Sequence, residues 1–249
     1  MPSIFSRCSS LLHQCLPPLR LLQRCLICAA QLHSGRRLCH DCEAALPWLP
    51  PGCLRCGRRD ESLAPGRSVC DHCQQSPPDF DRCLALFEYR PPASVLISRF
   101  KYRHALAEGH ALGQLLNEGF GRHYSDSGEI EPDCLLPVPL HHWRLRQRGF
   151  NQAVLLARQI ARSRHITLDL HSVYRARHHR AQQGQNRRQR QQNVSSLFQL
   201  STRHQLQHYR HIAIIDDVVT TGATGNALAR TLRQASDARI DLWCLASVP

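Results

Sequence analysis

The stretch that most restricts what this chain can fold into is Ile212-Ala213-Ile214-Ile215-Asp216-Asp217-Val218-Val219-Thr220-Thr221-Gly222-Ala223-Thr224. Four unbroken apolar residues, Ile212 to Ile215, predict a strand buried on both faces, as in a parallel sheet. The run stops at two adjacent carboxylates and turns through a Thr/Gly/Thr loop into a helix beginning near Thr224. Gly222 lets the backbone approach an anion closely, and the amides of the loop and of Ala223 point to it where the helix starts. The hydroxyls of Thr220, Thr221 and Thr224 add neutral donors, and Asp216 and Asp217 can accept from two neighbouring hydroxyls of a ribose. A helix cap alone does not call for paired acids. A nucleotide P-loop would end in Gly-Lys-Ser/Thr, which this loop lacks. The order of parts suits a ribose carrying a 5′-phosphate.

The charge balance points the same way. The 249 residues carry a net charge of +13, and the single lysine, Lys101, stands among arginines. Genomic codon bias is the plain source of that preference, and against it Lys101 marks a place for an ammonium. From Arg144 to Arg190 the only acid is Asp169, so this half of the chain makes a field of one sign that favours phosphates. Residues 1–24 contain arginines and no acid, but His13, Gln14 and Pro17-Pro18 interrupt any secretory apolar core. They are read as an N-terminal helix or arm, with a transit peptide as the compositional rival. No stretch approaches the ~18 consecutive apolar residues of a membrane span, and the expectation is a cytoplasmic protein.

Eight of the thirteen cysteines form four Cys-x-x-Cys pairs: Cys25/Cys28, Cys39/Cys42, Cys53/Cys56 and Cys70/Cys73. Two such knuckles turn four sulfurs toward one ion in a tetrahedral site, so two structural zinc ions are expected. A disulfide scaffold would need an oxidising compartment, and a redox Cys-x-x-Cys usually occurs once. The spacing leaves open whether the pairs couple in order or interleave. His40 and His72 sit inside knuckles and are read as bystanders. Residues 25–75 are too few and too polar to fold on a core alone, so metal would supply the folding free energy of a module spanning 25–78. Pro77-Pro78 marks the boundary with residues 79–249.

Beyond Phe80 the pattern alternates. Strands are expected at 84–87, 134–138, 167–173, 212–215 and 240–245. Helices are expected at about 93–102, 105–120, 150–161 and 224–234, with a solvated loop over 175–193. Strands separated by helices imply a parallel α/β sheet with ligands beyond the carboxyl ends of its strands.

Two further segments fit such a site. Leu136-Pro137-Val138-Pro139 is expected to end a strand that passes through a loop, with Arg144, Arg146, Arg148 and Gly149, into a helix at Phe150-Asn151-Gln152. Arg148 and Gly149 are expected at a helix start, where a diphosphate meets a guanidinium fork and free amides. The span Gln182–Asn193, with Arg188 and Arg190, reads as a loop able to close over substrate and stabilise departing charge.

The Asp-Asp-Val-Val-Thr-Thr-Gly-Ala-Thr loop resembles the signature of type I phosphoribosyltransferases. With the knuckles, Phe100-Lys101-Tyr102, the Pro-Val-Pro…Arg-Gly-Phe-Asn-Gln run and the Gln…Arg…Asn loop, the chain resembles the ComF/GntX family. It departs from the family where a glycine often stands two residues after Tyr102; here that residue is His104. The resemblance implies a phosphoribosyltransferase-like fold behind a double zinc ribbon, and a role in natural transformation handling incoming single-stranded DNA. In the enzyme reading, Asp216 and Asp217 hold the ribose hydroxyls of phosphoribosyl pyrophosphate, or a related ribose 5-phosphate, directly or through Mg²⁺. Thr220, Thr221, Gly222, Ala223 and Thr224 cradle the 5′-phosphate, and Arg148, Gly149, Lys101, Arg188 and Arg190 take the pyrophosphate. The rival is a non-catalytic, zinc-dependent nucleic-acid-binding protein with a vestigial sugar-phosphate site. A scaffold that docks a helicase partner is a third reading.

Overall fold

The computed structural model describes residues 23–32, 35–50, 52–58, 68–103, 105–176 and 197–248. The expected arm therefore lies outside the described residues except for Gln23 and Arg24. The expected loop over Gln182–Asn193, with Arg188 and Arg190, lies outside them entirely, as does His104.

The central sheet has five strands: β3 (Arg82–Glu88), β4 (Cys134–Pro137), β5 (Thr167–Leu168), β8 (His211–Val219) and β9 (Arg239–Ser247). Their spatial order is β3-β9-β8-β4-β5, and every neighbouring pair is parallel. This is the parallel α/β sheet expected from the pattern. The helices α3 (Ala93–Tyr102), α4 (Leu106–Ser127) and α6 (Gln152–Arg164) pack on one face. The other face carries α7 (Ala223–Leu232) and a short antiparallel ribbon of β6 (Val173–Arg175) and β7 (Phe198–Leu200).

The side chains of β8 show why both faces must be covered. Ala213 and Ile215 enter the core beneath α3, α4 and α6, whereas Ile212 and Ile214 enter the core beneath α7. All four are fully buried, so the unbroken apolar run reflects a strand with protein on both sides.

Several element limits differ from expectation for local reasons. β8 does not stop at the acids but continues to Val219, because β9 goes on supplying partners as far as Ser247. The single strand expected over 167–173 is two pieces. Asp169 Oδ1 accepts from the amides of His171 and Ser172, both at 2.9 Å, and this side-chain turn breaks the strand. α4 runs seven residues beyond its expected end at Phe120 and stops at Gly128, whose φ of +66° suits a left-handed cap. The stretch read as a loop around Arg144 is a helix, α5 (His142–Arg148), closed by Gly149 at φ +71°.

The N-terminal module is built from the hairpin β1 (Gln23–Arg24) and β2 (Gln31–Leu32) and two short helices, α1 (His40–Ala44) and α2 (Asp71–Gln75). Trp48 packs on Phe87 of β3 with ring centroids 4.8 Å apart, and Arg36 bridges Glu43 and Glu118, each at 2.6 Å.

Candidate functional site

The sheet itself opens a crevice. β4 pairs with β8 only as far as Pro137 opposite Ile215, while β9 stays paired to the end of β8. Immediately beyond the last β4 pair stand Asp216 and Asp217. They lie at the carboxyl edge where one connection leads outward to β5 and the other back to β9, the position at which open α/β sheets place ligands.

Strand alternation sends the two acids toward different partners. Asp217 lies on the face of Ala213 and Ile215, where the C-terminal end of α3 brings in Lys101. Its Nζ is 2.8 Å from Asp217 Oδ1, and both side chains are about 15% exposed or less. Asp216 is half-buried, and its Oδ1 accepts from the Asp217 amide at 2.8 Å. Burial, then the neighbouring Asp217 charge, pushes the Asp216 carboxyl up to about 7 against the opposing pull of Lys101 and Arg175.

Arg175 is the residue that sequence reasoning missed. It was placed in a solvated tract, yet it ends β6 with its guanidinium stacked 5.7 Å from the Phe198 ring centroid. Among the described residues its Nε is buried without a hydrogen-bond partner. Burial and the nearby Arg144 charge lower its pKa, while Asp216 opposes them. The available signal was its position in Val173-Tyr174-Arg175-Ala176, where apolar residues bracket a lone cation.

The hydroxyl-lined loop follows. Gly222 at φ +75° forms the left-handed turn that starts α7, and Thr221 Oγ1 accepts from the Ala223 amide at 3.3 Å. Thr220, Thr221 and Ala223 are exposed, and Thr224 is half-buried. Arg58, from the N-terminal module, donates to the Thr220 carbonyl at 3.0 Å. Between that module and the loop lies a cleft of about 330 Å³, lined by Arg58, Phe80, Thr220, Thr221 and Asn226 among others.

Arg148 is tied to the C-terminal end of α3 through Tyr102. Its guanidinium lies 5.0 Å from the Tyr102 ring centroid and donates to the Tyr102 hydroxyl at 3.4 Å and to Gln152 Oε1 at 3.3 Å. One correction applies here. Arg148 and Gly149 close α5 and do not start a helix, and the Gly149 amide is bound to the Leu145 carbonyl at 2.8 Å. The next helix begins after Asn151, whose side chain caps it by accepting from the Ala153 amide. The basic last turn of α5 follows from the negative end of a helix.

The eight knuckle cysteines form two tetrads, paired in order: Cys25, Cys28, Cys39 and Cys42 in one, Cys53, Cys56, Cys70 and Cys73 in the other. In each, the four sulfurs lie within 4.8 Å of one another. The Cys28–Cys39 and Cys56–Cys70 sulfur separations are 3.7 and 3.8 Å. A tetrahedron with Zn–S of about 2.3 Å has edges of about 3.8 Å, so the sulfurs fit zinc as placed. Burial pushes Cys25 and Cys53 up, but backbone amides outweigh it and bring them to about 6 and about 7. The amides of Cys39 and Cys70 are among those donors. Cys42, Cys56 and Cys73 are pushed up, by burial first and then by the neighbouring thiols, a repulsion that a bound cation would relieve. Two structural zinc ions fit these tetrads. Cys83, Cys134 and Cys244 are buried in the core.

A family model described as a double zinc ribbon domain matches residues 11–75. Competence protein F of Haemophilus influenzae is 32% identical over 225 residues, covering 90% of this chain and 96% of that protein. The chain belongs to the competence protein F family. DNA utilization protein YhgH of Escherichia coli K12 is 34% identical over 204 residues, with 78% and 87% of the two chains covered. Competence protein ComFC of Bacillus subtilis is 27% identical over 233 residues, with 86% and 90% covered. Among solved structures, a B. subtilis glutamine phosphoribosylpyrophosphate amidotransferase complexed with ADP and GMP aligns at a TM-score of 0.36. That alignment has 17% identity and covers 52% of this chain and 26% of the other. It is too partial to assign anything, and the fold of this competence protein F relative rests on its own sheet. Among the described residues, no helix is long and apolar enough to cross a membrane.

Proposed function

We propose that this protein binds phosphoribosyl pyrophosphate, or a related ribose 5-phosphate, in the crevice between β4 and β8, and works in the cytoplasm on incoming single-stranded DNA during natural transformation. The observation that carries the ligand reading is the junction at the end of β8. Two acids stand where β4 has left the sheet, a glycine-turned hydroxyl loop follows, and Lys101 is held 2.8 Å from Asp217.

The ribose hydroxyls lie over Asp216 and Asp217, and the 5′-phosphate meets Thr220, Thr221, Gly222, Ala223 and Thr224 at the head of α7. The pyrophosphate meets Lys101 and Arg148, with Arg175 as a further cation on the Asp216 side. A carboxyl held near neutrality by burial, as Asp216 is, ionises when a divalent cation enters beside it. Mg²⁺ bound with the pyrophosphate would neutralise its charge, using one or two carboxylates and several waters. Transfer, where it occurs, displaces pyrophosphate at the anomeric carbon through an oxocarbenium-like state. The arginine and lysine side chains stabilise the charge that leaves. Such a reaction is a pentosyl transfer and needs little acid–base chemistry from the protein.

The DNA reading draws on the names of the relatives, two of them competence proteins and one a DNA utilization protein. It also draws on the arginine-rich elements beside the crevice. Docking of a helicase partner would add to this role through the zinc ribbons.

Titration with phosphoribosyl pyrophosphate and Mg²⁺ by calorimetry tests the site. Micromolar or tighter binding by the wild type and its loss in Asp216→Asn plus Asp217→Asn is the expected result. Binding that survives the double substitution removes these carboxylates from the site. Pyrophosphate release against candidate bases, amines and DNA separates a transferase from a binding protein that keeps the site without turnover.

A further inference from the structure

Among the described residues the large aromatic side chains that stand exposed are Tyr102, Trp143 and Tyr174, at 69, 59 and 49%. Each stands next to a basic residue in the chain. Tyr102 ends α3 next to Lys101, Trp143 lies in α5 beside Arg144, and Tyr174 precedes Arg175 in β6. Other aromatics that the sequence sets near basic residues are partly buried against the core: Phe150 stacks on Phe100 at 5.6 Å, and Tyr89 packs against the same core. Exposed aromatic rings carry a cost in water that buried ones do not, so their clustering at one place is informative.

The segments that carry Tyr102 and Trp143 are themselves free of acids, although Lys101 pairs with Asp217 and Arg99 lies 4.0 Å from Glu108. No acid occurs between Glu88 and Glu108, the span that contains α3, or between Asp133 and Asp169, the span that contains α5 and α6. α5 presents Arg144, Arg146 and Arg148, and Arg99 and Arg103 flank Tyr102. Flat rings interleaved with guanidinium groups are what a flexible polyanion with stackable bases requires. Duplex DNA hides its base faces and would leave the rings unused.

We propose that Tyr102 and Trp143 form a base-stacking platform for single-stranded nucleic acid, with Arg144 and Arg146 on its phosphates, laid across the mouth of the sugar-phosphate crevice. This rests on the DNA reading above and adds where the strand lies and how it meets the other ligand. Five residues of α5 separate Trp143 from Arg148, a rise of about 7.5 Å, and Arg148 already lies against Tyr102. That separation is also a turn of about 140° around α5, so the two rings serve different bases of a strand that bends round the helix. Arg148 is shared: it covers the ring on which a base would stack, and it is the cation assigned to pyrophosphate. The strand and the pyrophosphate compete for it.

The test uses the full-length, zinc-loaded protein and a fluorescein-labelled mixed-sequence 15-nucleotide DNA, measured by anisotropy over a salt series. Trp143→Ala and Tyr102→Ala are each expected to weaken binding about tenfold or more, the loss of one stacked base, with the salt slope unchanged. Trp143→Phe retains most of the affinity. Arg144→Gln and Arg146→Gln are expected to flatten the slope by about 0.7 each. Circular dichroism and zinc content check folding. Wild-type affinity in the Trp143→Ala/Tyr102→Ala double variant overturns the platform, as does equal affinity for duplex DNA of the same length.

Competition is read separately. Saturating phosphoribosyl pyrophosphate with Mg²⁺ should raise the DNA Kd several-fold, and DNA must raise the ligand Kd by the same factor. Ribose 5-phosphate, lacking the pyrophosphate, should do so far less. Equal effects of the two ligands overturn the shared role of Arg148. Failure of phosphoribosyl pyrophosphate to bind at all defeats the ligand reading and leaves the aromatic and salt-slope results to decide the platform.

Discussion

Lys101 Nζ lies 2.8 Å from Asp217 Oδ1, and this contact joins the end of α3 to the open edge of β8. The only lysine in the chain thus meets one of its two most informative acids. Both side chains are largely shielded from water, so the pair is held in place and not merely near. Next to Lys101 in the chain, Tyr102 holds Arg148.

Removing the ammonium should show in ligand affinity before it shows in stability. Lys101→Met is expected to weaken phosphoribosyl pyrophosphate binding about ten- to a hundredfold, the size of a charged hydrogen bond lost to the ligand. Lys101→Arg should fail to restore it, because a planar, forked cation does not replace a compact one in a shielded position. Calorimetric Kd values for the three proteins decide the point. Full recovery with arginine would make the single lysine an accident of composition.

The raised Asp216 carboxyl gives a pH dependence of definite sign. Burial first, then Asp217, brings it to about 7, whereas an unfolded aspartate titrates near about 3.9. Between those values the folded state keeps a proton that the unfolded chain has released. Stability from this group therefore falls as pH rises through that window, and the full penalty is present above about 7. Asp216→Asn should remove the dependence and raise the denaturation midpoint at pH 8 more than at pH 5. Ligand binding with Mg²⁺ should run the other way in the wild type and strengthen as pH passes 7, since the cation favours the carboxylate.

The two zinc sites should not be equivalent. The second tetrad carries Arg58, whose guanidinium donates to the Thr220 carbonyl at 3.0 Å. The first tetrad lies in the part of the module that packs on β3 and α4, through Trp48 on Phe87 and Arg36 on Glu118. Cys70→Ser, which breaks the second site, should weaken sugar-phosphate binding, while Cys39→Ser should leave that affinity near wild type and lower thermal stability. Each variant should hold one zinc in place of two by atomic absorption. Arg58→Ala keeps both ions and isolates the contact; a loss of about two- to tenfold in affinity is the value of one hydrogen bond. Equal loss from both cysteine variants would end the distinction.

How much of this could be read from residues alone depends on the range of the interaction that decides each feature. The sheet, the tetrads and the turn at Gly222 were legible because each is set locally: by an unbroken apolar run, by a two-residue spacer, by a glycine that takes a positive φ. The in-order coupling of the cysteine pairs was not, since spacing permits other couplings and only the packing of the ribbons chooses. The full length of β8 was missed because its last residues are extended by β9 alone, a partner more than twenty residues further on. Helix α5 was read as a loop because its exposed arginines offer no apolar stripe. Arg175 was hidden for a related reason. A cation followed by a polar tract looks solvated until Phe198, remote in sequence, closes over it.

The opposite edge of the sheet supplies a contrast in which stability and ligand binding should separate. At the start of β9, fully buried Asp241 accepts from Tyr124 at 2.8 Å and pairs with His211 at 3.0 Å, and Trp243 donates to the Tyr124 hydroxyl at 3.1 Å. Burial disfavours the Asp241 charge, but the His211 and Tyr124 hydrogen bonds outweigh it, so its carboxyl is held below the usual range. A depressed acid stabilises the fold above its unfolded pKa and loses that contribution as pH falls through the folded value. Tyr124→Phe leaves both Asp241 and the Trp243 N–H short of a partner inside the core. It should cost about 1–3 kcal/mol of folding stability, read from urea midpoints at constant slope. Because this network lies at the other end of β9 from the crevice, phosphoribosyl pyrophosphate affinity at 20 °C should stay within twofold of wild type. A parallel fall in affinity would mean that the two edges of the sheet are coupled, and that the crevice is less preformed than its fixed strand ends imply.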